Sequence, residues 1–172
     1  MKLIYTASQV REAEKPYIEA ADYDGYLMQR AADAVAAEAQ DLLHGKENAK
    51  ILLLIGPGNN GADTIYAGAR LSAKGHRVDA VCLAPSEKHL ALIAREGGEA
   101  TRVLDPEPTL EHLTGYDLTI DGILGTGSSG AVRGSAGEYL GVLRAAQLDG
   151  KLGAVLAVDT PSGVDNNRGT VH

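Results

Sequence analysis

Ile51-Leu52-Leu53-Leu54-Ile55-Gly56-Pro57-Gly58-Asn59-Asn60-Gly61-Ala62-Asp63 is the stretch whose reading decides the fold. Its apolar run, bounded by Lys50 and Gly56, shows no alternation with polar residues. That is the pattern of a strand buried on both faces of a parallel sheet. A glycine-rich loop, Gly56 to Asp63, follows directly, and after it a helical stretch runs to Lys74 with Gly75 placed as its C′ residue. A strand, a glycine loop and a helix in this order form the first unit of an alternating α/β chain.

The flanking sequence continues the alternation. Upstream, Ser8 is placed to cap a helical segment through Val10, Ala13 and Ile18. A second segment, Gly25 to Leu43, is rich in Ala, Leu, Met and Gln, with Gly45 as its stop. Downstream, Val78 to Leu83 reads as a strand containing Cys82, Ser86 caps a helix ending near Gly97 and Gly98, and Thr101 to Leu104 is a short strand. A short helix is expected after Pro106 and Pro108, then a strand at Asp117 to Ile120, a second glycine-rich loop, a helix around Tyr139 to Leu148 and a strand at Ala154 to Val158. Strands separated throughout by helices predict a doubly wound, mostly parallel α/β sheet with helices on both faces, in one domain over residues 1–172. The last strand is followed only by DTPSGVDNNRGTVH, so the expectation is a domain truncated at its carboxyl end.

Composition removes several classes of function. A net charge of −7 argues against a broad electrostatic grip on nucleic acid or an anionic membrane. The single cysteine, Cys82, allows no intrachain disulfide and no thiolate cluster, and is expected to be a buried strand residue. The amino terminus acquires charges before any apolar signal region forms, so a cytoplasmic location is expected. His76, His89, His112 and His172 lack paired ligand spacing, and His44 reads as a surface cap.

Three polar loops each follow a strand, at the edge where open parallel sheets bind ligands. In the first, glycines let peptide N–H groups approach a phosphate at a helix N-terminus, while Asn59, Asn60 and Asp63 add side-chain oxygens. It is neither a Walker A loop nor a GxGxxG turn, and the same residues also suit a simple turn and helix cap. The second, Asp121 to Gly134, sets an acidic residue at a strand end before Gly125 to Gly130, with Arg133 the nearby fixed cation; a capped turn and a surface loop would look the same. In the third, Asp159-Thr160-Pro161-Ser162-Gly163-Val164-Asp165, a carboxylate can act as acid or base, or merely cap a turn.

In these residues the chain resembles the YjeF amino-terminal family, the NAD(P)H-hydrate epimerases. The family pattern of GPGNNGGDG, Asp-x-x-x-Gly with a glycine-rich tail, and Asp-x-Pro-Ser-Gly is matched in order, and Leu27-Met28-Gln29-Arg30-Ala31-Ala32 resembles its Leu-Met-Glu-x-Ala-Gly segment. Ala62 and Thr64 depart from the family's GGDG. The resemblance implies a Rossmann-like three-layer αβα domain that interconverts the C6 epimers of hydrated NADH or NADPH. It implies a potassium ion held by Asn60, Asp121 and Ser162. The substrate would meet Asn59, Asn60, Gly61, Ala62, Asp63, Gly125, Thr126, Gly127, Ser128, Ser129, Gly130, Ala131 and Asp159, with Asp159 as the proton-handling group. It further implies a homodimer and a fused or separate dehydratase domain. Two rivals are a non-catalytic scaffold of the same fold and a nicotinamide-dependent dehydrogenase; the missing GxGxxG turn weighs against the latter.

Overall fold

The computed structural model describes residues 5–83, 87–97, 101–104, 107, 113–128, 130–165 and 168–171. Helix α1 (Ala7–Ile18) and helix α2 (Tyr26–Leu42) precede strand β1 (Lys50–Ile55). Then come α3 (Asn59–Ala73), β2 (Arg77–Cys82), α4 (Glu87–Leu92) with a π-helical continuation Ile93–Gly97, and β3 (Thr101–Leu104). The chain continues through β4 (Leu118–Gly122), α5 (Gly134–Leu148), β5 (Ala154–Ala157), β6 (Val164–Asp165) and β7 (Thr170–Val171). The expected cap Ser86, Gly98, Pro106 and Pro108 with the start of the short helix expected after them, and His112 and His172 lie outside the described residues.

The first five strands form one parallel sheet in the order β3-β2-β1-β4-β5. The chain starts in the middle, runs outward through β2 and β3, and returns to the other side of β1. The carboxyl ends of β1 and β4 therefore flank the point where strand order reverses, and the connecting loops part there to leave a crevice. The doubly wound expectation holds.

Burial of β1 on both sides follows from its unbroken apolar run. Ile51, Leu53 and Ile55 pack with Ala36 and Ala39 of α2, with Leu43 just past its end, and with Ile65, Ala67 and Leu71 of α3. Leu52 and Leu54 pack with Tyr139 and Leu143 of α5 on the opposite face. Every residue from Ile51 to Ile55 is at most 1% exposed, and Cys82 is buried as expected. A Cβ on Gly68 of α3 would come within 2.4 Å of a Leu53 methyl, so helix and sheet approach as closely as glycine allows.

Several boundaries differ from expectation. Thr6, not Ser8, caps α1, in a reciprocal capping box with Gln9. Helix α5 begins at Gly134, ahead of the expected Tyr139. The segment expected to be a terminal loop contains a short antiparallel ribbon, β6 with β7. Most consequential, α3 begins at Asn59, so the expected loop residues Asn59 to Asp63 form its first turns. The turn that remains is tight: a Cβ on Gly56 would lie 1.8 Å from the Ile123 carbonyl oxygen, so the β1 and β4 loops touch backbone to backbone.

That contact predicts that Gly56→Ala forces the two loops apart and destabilises the fold by about 3 kcal/mol. At this chain length the cost corresponds to roughly 6–12 °C in the thermal midpoint, which calorimetry would read.

Candidate active site

At the switch point the three predicted loops are tied to one another. Asp121 ends up inside β4, 4% exposed. Its Oδ1 accepts from the Ile123 amide (3.2 Å) and from the Ser162 hydroxyl (2.7 Å), and its Oδ2 accepts from the Ser162 amide (2.9 Å). The Ser162 hydroxyl in turn accepts from the Leu124 amide at 3.0 Å. One buried carboxylate thus staples the loop after β5 to the loop after β4 through charge-assisted bonds. The Asn60 amide donates to the Val158 carbonyl at 3.1 Å, which ties α3 to the end of β5.

Thr64 makes the family departure intelligible. Fully buried, it donates from its hydroxyl to the Asn60 carbonyl at 2.7 Å and stands where a Gly122 Cβ would fall. Ala62 is half-buried and is not among the residues facing the crevice.

A cavity of about 500 Å³ opens here. Its wall includes Asn59, Asn60 and Asp63 of α3, Gly125 to Ser128 of the second loop, and Asp159. The first turn of α3 leaves N–H groups without helical partners at this wall and brings the positive end of the helix to it. Asp159 is exposed and holds φ at +61°, the left-handed region that Asp, Asn and His enter more readily than other side chains, as His44 and Asn48 also do away from the cavity. Its Oδ2 would stand 2.8 Å, and the Asn60 Oδ1 3.0 Å, from a Cβ on Gly125. Residue 125 must be glycine for those two oxygens to face the same space.

Among the described residues two buried acceptors have no hydrogen-bond donor, Asn60 Oδ1 and Asp63 Oδ1. The Asp63 carboxyl, 9% exposed, is pushed up to about 7 by burial first, then by the negative charges of Asp159 and Glu14. At neutral pH it is poised between acid and carboxylate.

Of the expected substrate set, Asn59, Asn60, Asp63, Gly125, Thr126, Gly127, Ser128 and Asp159 meet at this cavity. Gly61 instead packs against the Gly56 carbonyl, which a Cβ would approach to 2.1 Å. Gly130 is exposed and outside the wall, Ala131 faces neighbouring cavities, and Ser129 lies outside the described residues. Of the expected ion ligands, Asn60 faces the cavity, whereas Asp121 and Ser162 reach a second one of about 610 Å³ between α5 and β5. The wall of that second cavity is otherwise mainly apolar, including Leu140, Leu143, Val155 and Val171. Among the described residues no three His, Cys, Asp or Glu side chains converge as a metal cluster.

Sequence reasoning missed Arg11 and Glu14. Both project from α1 into the cavity wall, and Arg11 Nη1 lies 3.6 Å from where a Gly127 Cβ would be. Arg133, the cation expected at the second loop, precedes α5 and lines a separate, smaller cavity. The i, i+3, i+7 spacing of Arg11, Glu14 and Ile18 marks one helix face, but only the packing of α1 shows what that face meets.

Residues 25–172 match the family model described as YjeF-related protein N-terminus, and the chain belongs to that family. Over 98% of its length it is 34% identical to the Bifunctional NAD(P)H-hydrate repair enzyme Nnr of Corynebacterium glutamicum, of which it spans 29%. It is 37% identical, over 96% of its length, to the NAD(P)H-hydrate epimerase of Microbacterium testaceum, of which it spans 62%. The epimerase of Clavibacter sepedonicus is 33% identical over 97% of the chain, which spans 72% of that protein. The crystal structure of yeast ynu0 superposes with a TM-score of 0.74 at 20% identity over 95% of this chain and 72% of that one, and so shares the fold. No helix among the described residues is long and apolar enough to cross a membrane.

The raised Asp63 value gives stability a pH dependence with a definite sign. The native state holds this proton more tightly than an unfolded chain does, so the associated stability is fully present below 3.8 and is lost as pH rises through about 7. Asp63→Asn carries no such proton. Its thermal midpoint should gain on the wild type between pH 5 and pH 8; a difference that stays constant across that range would mean that Asp63 ionises freely.

Proposed function

We propose that this chain epimerises hydrated NADH or NADPH at C6 of the reduced nicotinamide ring, with Asp159 handling the proton. The observation that carries the reading is the exposed Asp159 carboxylate set opposite a helix N-terminus and a glycine loop in a cavity of about 500 Å³. The names of the similar proteins, NAD(P)H-hydrate epimerase and repair enzyme, support the same substrate class.

The parts suit the task. A dinucleotide carries a pyrophosphate, which the α3 N-terminus, the amides of Gly125 to Gly127 and the Arg11 guanidinium would bind. The carbon to be inverted bears a hydroxyl next to a ring nitrogen, so inversion requires either breaking and remaking the C–O bond or opening and closing the ring. Either route moves a proton, which Asp159 at the cavity wall can accept or return.

Of the three residues expected to hold a potassium ion, Asn60 fits that role best. Asn60 Oδ1 is a buried neutral oxygen with no donor, which a hard cation with oxygen ligands would satisfy. Asp121 and Ser162, the other two expected ligands, face the second cavity with oxygens already engaged by the loop staple. Bound, the ion would supply positive charge beside the pyrophosphate. A scaffold that binds nothing gives no reason for an unsatisfied Asn60 oxygen at the cavity wall.

Purified protein with potassium should equilibrate separated C6 epimers, followed by chromatography. Asp159→Asn should lower kcat by roughly 10²–10⁴-fold. Absence of equilibration at high enzyme concentration would end the reading. Arg11→Gln should instead raise KM by about tenfold or more, the loss of one charge-assisted bond, with kcat little changed.

A further inference from the structure

Asp63 is the group in this cavity that substrate binding alone does not explain. It is 9% exposed, it lines the cavity with Asp159, and its Oδ1 is buried with no donor to satisfy it. An ionised carboxylate left in that position bears the full cost of an unpaired buried charge. A neutral carboxylic acid does not, because its oxygen can carry a hydrogen and present it to whatever fills the cavity.

The surrounding charges act in the same direction. Facing the cavity with Asp63 are Asp159 from the loop after β5, Glu14 and Arg11 from α1, and Tyr23 from the turn before α2. His89 of α4 donates from Nε2 to the Gly58 carbonyl at 3.1 Å, one turn below. Two of these neighbours, Asp159 and Glu14, repel a carboxylate at position 63. Two carboxyl groups in unlike settings, one buried and one exposed, allow a single site to hold an acid and a base together.

We propose that Asp63 is the acid partner of Asp159, a buried protonated carboxyl on α3 that exchanges its proton with the bound hydrated nicotinamide while Asp159 serves as the base. The inference rests on the epimerase reading and is written for its ring-opening route, in which acid and base each have one proton to move. Asp159 takes the proton of the C6 hydroxyl, and the C6–O bond becomes a carbonyl. The C6–N1 bond breaks with its electron pair going to N1, and Asp63 gives N1 its proton. Rotation about C5–C6 then turns the other carbonyl face to N1. On reclosure N1 bonds to C6, its proton returns to Asp63, and Asp159 returns the other proton to oxygen. Nothing is consumed, and both carboxyl groups end as they began.

Two measurements on the intact protein test this and separate its failure from that of the epimerase reading. In carboxyl carbon NMR, Asp63 should titrate near 7, and its midpoint should fall in Asp159→Asn. In kinetics, wild-type kcat should decline as pH rises above about 7, and Asp63→Asn should lose roughly 10²-fold or more in kcat together with that decline. Asp63→Glu should restore part of the rate and the pH dependence. An Asp63 that titrates near 4, whatever the activity, would overturn the acid assignment. So would an Asp63→Asn enzyme that raises KM and keeps the wild-type pH profile, since that is the mark of binding alone. An Asp63 that titrates near 7 in a protein with no epimerase activity at any pH would overturn the epimerase reading, and the ring-opening role with it, while leaving the carboxyl pair in place.

Discussion

The carbonyl oxygen of Ile123 occupies the space that a side chain at position 56 would need, and this contact governs the rest of the site. Because the β1 and β4 loops meet backbone to backbone, α3 can begin directly behind Gly58, and its first turn can lie against Gly122 through Thr64. The same economy recurs at Gly125, where a missing side chain brings Asp159 and Asn60 to one cavity wall. Close approach of main chain to main chain is the one arrangement that side-chain chemistry cannot substitute for, and it sets where every polar group at this end of the sheet can reach.

Electrostatically the cavity is a compromise between opposed demands. Binding a polyanion calls for positive potential, which the α3 terminus and Arg11 supply in a chain whose net charge is −7. Moving protons calls for carboxyl groups, and Asp63, Asp159 and Glu14 supply three at the same wall. The conflict is eased by keeping one of the three, Asp63, buried at the edge of ionisation, and a fourth carboxylate, Asp121, is a fully bonded staple away from the cavity. A single carboxylate type thus does structural or chemical work according to how many donors surround it.

The sheet was legible in the sequence because its strands are buried runs with glycines after them, and that pattern depends on local residues alone. The gathering of Asn60, Asp63, Gly125 and Asp159 was legible for a related reason: residues at strand ends in a doubly wound sheet share an edge. The start of α3 was misplaced because Asn, Gly and Asp favour turns by propensity, while packing against β4 outweighs that preference here. Arg11 and Glu14 stayed invisible because a polar helix face gives no sign of what it will meet. Gly61 and Ala62 illustrate the opposite error, since membership in a motif does not mean that a residue points into the cavity.

Helix α1 contributes no buried residue, and Tyr5, Val10, Tyr17 and Ile18 around it stay between 42% and 60% exposed. It also lies outside the span that matches the family model. Its attachment buries little apolar surface, and segments held this lightly open without unfolding the sheet. A cavity with one lightly held wall releases its contents on the timescale of that wall, so residence time here is decoupled from the stability of the core.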